Sequence, residues 1–171
     1  MKNSRRLTLR IVMPLIIAAT LVTLSGCGSA NSGSSTPPSP QKSPTIAELT
    51  AALDACFDAE GMHSLDESRV LDTLGLDATD LTGFVMKVPV GTNMDEYGVF
   101  IAADGKSQAV TNAVVAYITA RQESWMDEYL PDERPKIFEA EMHSALNYVF
   151  YVMAFKDVRA NATAAFQDAT S

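Results

Sequence analysis

The chain has 171 residues, 47% of them hydrophobic, with 13 basic and 21 acidic side chains and a formal charge of −8. That length suits one domain with a real core and is short for two. The acidic balance makes the chain a poor candidate for nucleic acid or for holding anionic headgroups by charge.

Lys2, Arg5, Arg6 and Arg10 make a basic start without an acidic residue. Ile11 to Leu24 is then apolar except for Pro14, Thr20 and Thr23, and its 14 residues fall short of a comfortable membrane span. This is the layout of a secretory signal peptide. Leu24-Ser25-Gly26-Cys27 resembles the bacterial lipobox. The resemblance implies that residues 1–26 are removed and that Cys27 becomes a lipid-bearing N-terminus. Each buried methylene contributes roughly 0.8 kcal/mol, so two or more acyl chains hold stably where one does not. Other readings are a single-pass helix, or a plain signal peptide followed by a coincidental cysteine. The order of basic start, apolar run and box favours the lipobox. Ser4-Arg5-Arg6-Leu7-Thr8-Leu9 also looks in part like a twin-arginine export signal but lacks the usual aromatic, which favours an ordinary basic start. The expected location is the extracytoplasmic face of a bacterial cell membrane, reached through the lipid.

Loss of the leader removes four positive charges and no negative one, taking −8 to −12. With Cys27 acylated, Cys56 is the only other cysteine and no intramolecular disulfide is possible. Residues 28–44 are rich in Gly, Ser and Pro, cannot build a core and read as a disordered tether. A flexible coil of that length spans about 23 Å end to end.

The globular part is expected over residues 45–171. Thr45-Ile46-Ala47-Glu48 is a capping box. Ile46, Leu49, Leu53, Cys56 and Phe57 follow on one helical stripe, with Gly61 as the stop. Cys56 within that stripe is expected to be core, not a reactive thiol. Ser64 to Glu67 repeats the cap pattern and predicts a short helix to about Leu74, ended by Gly75; Leu76 to Asp80 reads as a turn. From Thr82 the period becomes two: Phe84, Met86 and Val88 alternate with Val85, Lys87 and Pro89. Pro89 predicts an edge position or a strand end. Gly91 to Asp95 reads as a hairpin loop and Glu96 to Ala103 as a second strand, with Asp104-Gly105 turning the chain. A long helix is expected from Ser107 to Glu128, its track formed by Val110, Val114, Tyr117, Ile118, Arg121 and Trp125. Arg121 on that track predicts a snorkelling side chain paired with a carboxylate, in preference to a ligand-binding arginine. Tyr129-Leu130-Pro131 ends the helix and Asp132 to Phe138 starts a shorter one. Glu139 to Met142 is a candidate strand and Ser144 to Asn147 a turn. Tyr148 to Phe155, apolar on both faces, predicts a central strand, followed by a terminal helix over Val158 to Ala169.

Asp95-Glu96-Tyr97-Gly98-Val99-Phe100, the helix with Arg121-Gln122-Glu123 and Trp125, Tyr129-Leu130-Pro131, Lys136-Ile137 and the strand Tyr148 to Phe155 occur in that order. This order is similar to the bacterial lipoproteins defined by the domain of unknown function DUF4358, over roughly residues 49–168. The resemblance implies the fold and the address and carries no activity. It also implies a β-rich stretch before the last strand, where Glu141-Met142-His143-Ser144 is weak.

Catalytic and metal signatures are missing from the sequence: G-x-S-x-G, H-E-x-x-H and a phosphate-cradling glycine loop do not occur. His63 and His143 have no metal-like spacing and are expected at the surface. Asp127, Glu128, Asp132 and Glu133 lack the pattern of a calcium loop and read as a solvated junction; Asp54 and Asp58 read as surface charge. Asn161-Ala162-Thr163 matches a glycosylation sequon, which means little in a bacterial lipoprotein. No catalytic residue, cofactor or metal is expected.

The expected fold is α+β: one antiparallel sheet of three to five strands, a long helix on one face and short N-terminal helices. Phe84, Met86 and Val88 are expected to share a face with Tyr97, Val99 and Ile101 beneath the long helix. The opposite face would carry Val85, Lys87, Phe100 and Ala102, covered by the N-terminal helices or, where they stop short, by a partner, with Phe100 the candidate partner surface. The leading functional expectation is a non-catalytic envelope lipoprotein that binds a protein or ligand. The alternatives are a wall-modifying hydrolase with an unrecognised site and a purely structural envelope protein.

Overall fold

The computed structural model describes residues 43–171; the expected leader, Cys27 and the tether up to residue 42 lie outside them. The first helix, α1 (Ile46–Asp54), starts at the predicted cap: Thr45 Oγ1 accepts the Glu48 N–H, and Glu48 Oε2 accepts the Thr45 N–H at 2.9 Å. There follow β1 (Met62–Ser64), α2 (Glu67–Leu74), β2 (Leu81–Pro89), β3 (Glu96–Ala102) and α3 (Ser107–Glu123). The chain closes with α4 (Arg134–Phe138), β4 (Glu141–Ala145), β5 (Tyr148–Met153) and α5 (Lys156–Thr170). The five strands form one antiparallel sheet in the order β1-β2-β3-β5-β4, so the domain is α+β as expected.

Helices roof both faces. On one, Leu49 and Leu53 of α1 and Ala162 and Phe166 of α5 pack on Val85, Tyr97, Val99, Phe150 and Val152. On the other, Val70 and Leu74 of α2 and Val110 and Val114 of α3 pack on Met86, Phe100, Val149, Tyr151 and Met153. The chain enters at one end of the sheet, where the buried Tyr148 hydroxyl donates to the Pro44 carbonyl at 2.9 Å.

Several local expectations shift for identifiable reasons. α1 stops at Asp54 in a tightened turn, Cys56 N–H to Leu53 O at 2.8 Å, so Gly61 is not its terminator. Gly61 instead leaves room for Asn93, whose amide nitrogen would lie 2.7 Å from an added Cβ. The next three residues form β1, which was not foreseen; it pairs with β2 and makes Pro89 a strand end opposite Met62. The cap of α2 is Asp66, accepting from the Arg69 N–H at 2.9 Å, because Ser64 belongs to β1; Gly75 ends the helix at φ +64°. α3 ends at Glu123 and not Glu128, where Ser124 Oγ donates to the Arg121 carbonyl at 3.1 Å and competes with the helical ladder. The weak stretch before the last strand does form β4, and the turn shrinks to Leu146 and Asn147, Leu146 taking φ +55°. Cys56 is half-buried, not deeply buried, and its thiol donates to Ala52 O at 3.6 Å.

The larger correction is the β2–β3 register. Phe84 lies opposite Phe100, Val85 opposite Val99, Met86 opposite Gly98 and Lys87 opposite Tyr97. Directly opposed residues share a face, so Phe84 and Met86 sit with Phe100, and Val85 and Lys87 with Tyr97 and Val99. The expectation was displaced by one residue, which exchanges the two faces of β3. Both faces of β3 are apolar, so alternation could not select between them. Phe100 consequently has 0% exposure, lies on the α3 side and stacks with Tyr151 at 6.2 Å; it is core and not a partner surface. The sequence also placed both N-terminal helices opposite the long helix. Only α1 is there, while α2 joins α3.

Two measurements check this packing. Phe100→Ala should lower the unfolding free energy in urea by about 3–5 kcal/mol, and an unchanged midpoint would show that the ring is not packed. Burial pushes the Cys56 thiol pKa up. It should therefore react with a maleimide much more slowly at neutral pH before denaturation than after, equal rates excluding this placement.

Candidate functional site

Glu96 opens β3, and its side chain is 1% exposed. Its Oε1 accepts the Tyr117 hydroxyl at 2.5 Å and the Tyr151 hydroxyl at 2.6 Å, while Oε2 faces Arg121 Nη2 at 3.4 Å. Tyr117 and Arg121 lie one turn apart on α3 and so share a face. Tyr151 comes from β5, directly opposite Gly98. That glycine is a steric requirement, since an added Cβ would run into the Tyr151 ring and lie 2.8 Å from the Phe100 ring. The ring thus crosses the bare strand to reach Glu96.

Desolvation raises the Glu96 pKa, opposed by the Arg121 charge and the two tyrosine hydrogen bonds. Burial raises both tyrosine pKa values further, and the Glu96 charge adds to the effect. The hydroxyls therefore stay protonated as donors.

The cluster forms one wall of an open cleft of about 270 Å³ between α2 and α3. Leu65, Met86, Val88 and Pro89 supply apolar wall, and Thr73 stands at the rim. Arg121 is 32% exposed there. Its guanidinium makes one hydrogen bond, the long one to Glu96, and its buried Nε has no acceptor among the described residues. Two other clefts, of about 240 and 310 Å³, are lined around Glu67 and Phe84 and around His143 and Phe166. Neither combines a cation holding unused donors with a buried carboxyl of raised pKa.

Two buried cations differ from the half-buried Arg121. Lys136, 3% exposed, has Nζ 2.8 Å from both Asn93 Oδ1 and Glu133 Oε2 and 3.0 Å from Asp95 Oδ1, and lies over the Phe155 ring. The ammonium donates to Asn93 and is neutralised by the two carboxylates beside it. With the Met94 N–H donating to Glu133, this cluster fastens the β2–β3 loop to α4 and sets the start of β3. Arg159 is engaged by Glu139, Glu141 and the Ala154 carbonyl, each at 2.9–3.0 Å.

Arg121 is the core-edge arginine with a carboxylate partner that the sequence predicts. Of the acidic group, Asp127 meets Arg134 at the surface and Glu133 belongs to the Lys136 cluster. Among the described residues no three His, Cys, Asp or Glu are placed to share a metal ion. His63 is exposed, whereas His143 is half-buried against Phe150, beside Glu141. Asp54, expected as plain surface charge, pairs with Lys87 at 2.6 Å and accepts the Tyr97 hydroxyl at 2.8 Å. Glu96 and Tyr151 were not foreseen as site residues, since only the register brings them together. The signal in the sequence was an acidic residue opening an otherwise apolar strand.

Fold and cleft together define a class: an α+β domain with its antiparallel sheet roofed on both sides and an Arg-Glu-Tyr cluster at one sheet end. Residues 55–154 match the family described as Domain of unknown function (DUF4358), and the chain belongs to that family. Every cleft residue falls within the matched span. No curated protein and no solved structure matches the chain.

The raised Glu96 pKa has a directional consequence for stability. Between the unfolded value, near 4.5, and the higher folded one, the folded state holds the extra proton. The stability contributed by the neutral acid is full below the unfolded value and is lost as pH rises through the folded one. Glu96→Gln keeps an acceptor for the tyrosines and cannot ionise. The melting temperature of the variant relative to wild type should therefore rise steadily from acid to neutral pH, and a constant difference would show that Glu96 titrates alike in both states.

Proposed function

We propose that the chain is an exported lipoprotein, held outside a bacterial cell membrane by acyl chains on Cys27. Its domain is a non-catalytic binding module of the cell envelope. The basic start, the apolar run, Leu24-Ser25-Gly26-Cys27 and the Gly/Ser/Pro stretch support the address. Among the described residues no helix is long and apolar enough to cross a membrane.

The observation that carries the binding role is the unmatched Arg121 guanidinium in a cleft with apolar walls. Glu96 is the group there that a catalytic reading would need as acid or base. Its side chain is almost wholly buried, and one oxygen already accepts two tyrosine hydroxyls. That arrangement favours holding a ligand over exchanging protons with it.

Cys27→Ala should abolish labelling by an alkyne fatty acid fed to expressing cells and move the chain out of the acylated membrane fraction. Undiminished label in the variant would sink the lipoprotein assignment.

A further inference from the structure

The two buried cations of the described residues differ from the half-buried Arg121. Lys136 is ion-paired with Asp95 and Glu133 and bonded to Asn93, and Arg159 makes three hydrogen bonds, to Glu139, Glu141 and the Ala154 carbonyl, as a cation removed from water needs if it is not to destabilise the fold. Arg121 is not so engaged. A guanidinium carries five N–H donors in a planar fork. Here one of them reaches Glu96 at 3.4 Å, beyond the usual range for such a bond, and the buried Nε has no acceptor. The side chain is open to solvent through the cleft.

The surroundings narrow what could complete it. A planar fork matches a carboxylate, which can take two parallel N–H bonds. A phosphate dianion would bring a second negative charge toward the Glu96 carboxyl and into a chain of charge −8. A cationic ligand would need Glu96, whose Oε1 is filled by Tyr117 and Tyr151. The remaining wall is apolar: Leu65, Met86, Val88 and Pro89. The volume of about 270 Å³ lies at the small end for ligand pockets and suits a small body.

We propose that this cleft binds a small carboxylic acid with an apolar body, its carboxylate on the unused edge of Arg121 and its body against Leu65, Met86 and Val88. The proposal rests on the reading of the domain as a binding module and adds the ligand class. The shared chemistry has two sources, a free acid and the carboxyl end of a short peptide.

The test is calorimetric titration of the full acylated chain in lipid nanodiscs, with fluorescence of Trp125, the single tryptophan, just beyond the end of α3 that carries Arg121, as a second readout. The probes are benzoate for the free acid and acetyl-Ala-Leu for the peptide end, with benzamide and benzylammonium as comparators. At least one acid should bind with a Kd on the order of 1 mM or tighter. Both comparators should bind about tenfold or more weakly, the loss of one charge-assisted hydrogen bond. Arg121→Gln should lose the same factor with its melting temperature nearly unchanged. If that variant does not fold, the wild-type comparison of benzoate with benzamide still decides. Which acid binds identifies the source. Failure of both acids, or acid binding that survives Arg121→Gln, overturns the proposal. A comparator that binds as tightly as the acids overturns the ligand class and leaves the binding-module reading standing, while the address is read separately from the lipid label.

Discussion

The sheet has no wet side. All six residues of β5 are buried, and in β3 only Ile101 is partly exposed. An antiparallel sheet ordinarily gives one face to the core and one to solvent. Here two faces need cover, and the helices divide between them. α1 and α5 close one side, and α2 and α3 the other. α2 has only eight residues and lies beside the longer α3 without sealing to it along its whole length. The cleft is the gap this leaves over the end of the sheet.

Within so apolar a frame, each buried charge ties together segments far apart in the chain. Glu96 joins β3 to α3 and β5. Lys136 joins the β2–β3 loop to α4. Arg159 joins α5 to the segment entering β4. Buried pairs of this kind contribute little net stability, because desolvation offsets the attraction. Their effect is on alignment. The Glu96 cluster forms only when Tyr151 lies opposite Gly98, and the same alignment puts Phe100 under α3. A one-residue slip would leave Glu96 without its tyrosines and expose the wrong face of β3.

Local signals were legible where the chemistry is local. The Thr45–Glu48 capping box, Gly75 as a left-handed stop and the period-two run from Phe84 each depend on neighbours within a few residues. The snorkelling character of Arg121 was legible from its place on an apolar helical track. Three residues are too few for periodicity to show, so β1 was invisible. The face of Phe100 was misassigned because a strand apolar on both sides carries no alternation. The Glu96 cluster was hidden for a related reason: Glu96, Tyr117, Arg121 and Tyr151 lie on three elements and meet only after the register is set. The sequence showed the arginine and not its partner.

The hydrogen bond from Tyr148 to Pro44 has a geometric consequence. Tyr148 begins β5 opposite Ile101, whereas Glu96 lies opposite Met153, at the other end of the same pair of strands. Five residue steps along a strand cover about 17 Å. The point where the polypeptide joins the domain and the mouth of the cleft are therefore at opposite poles.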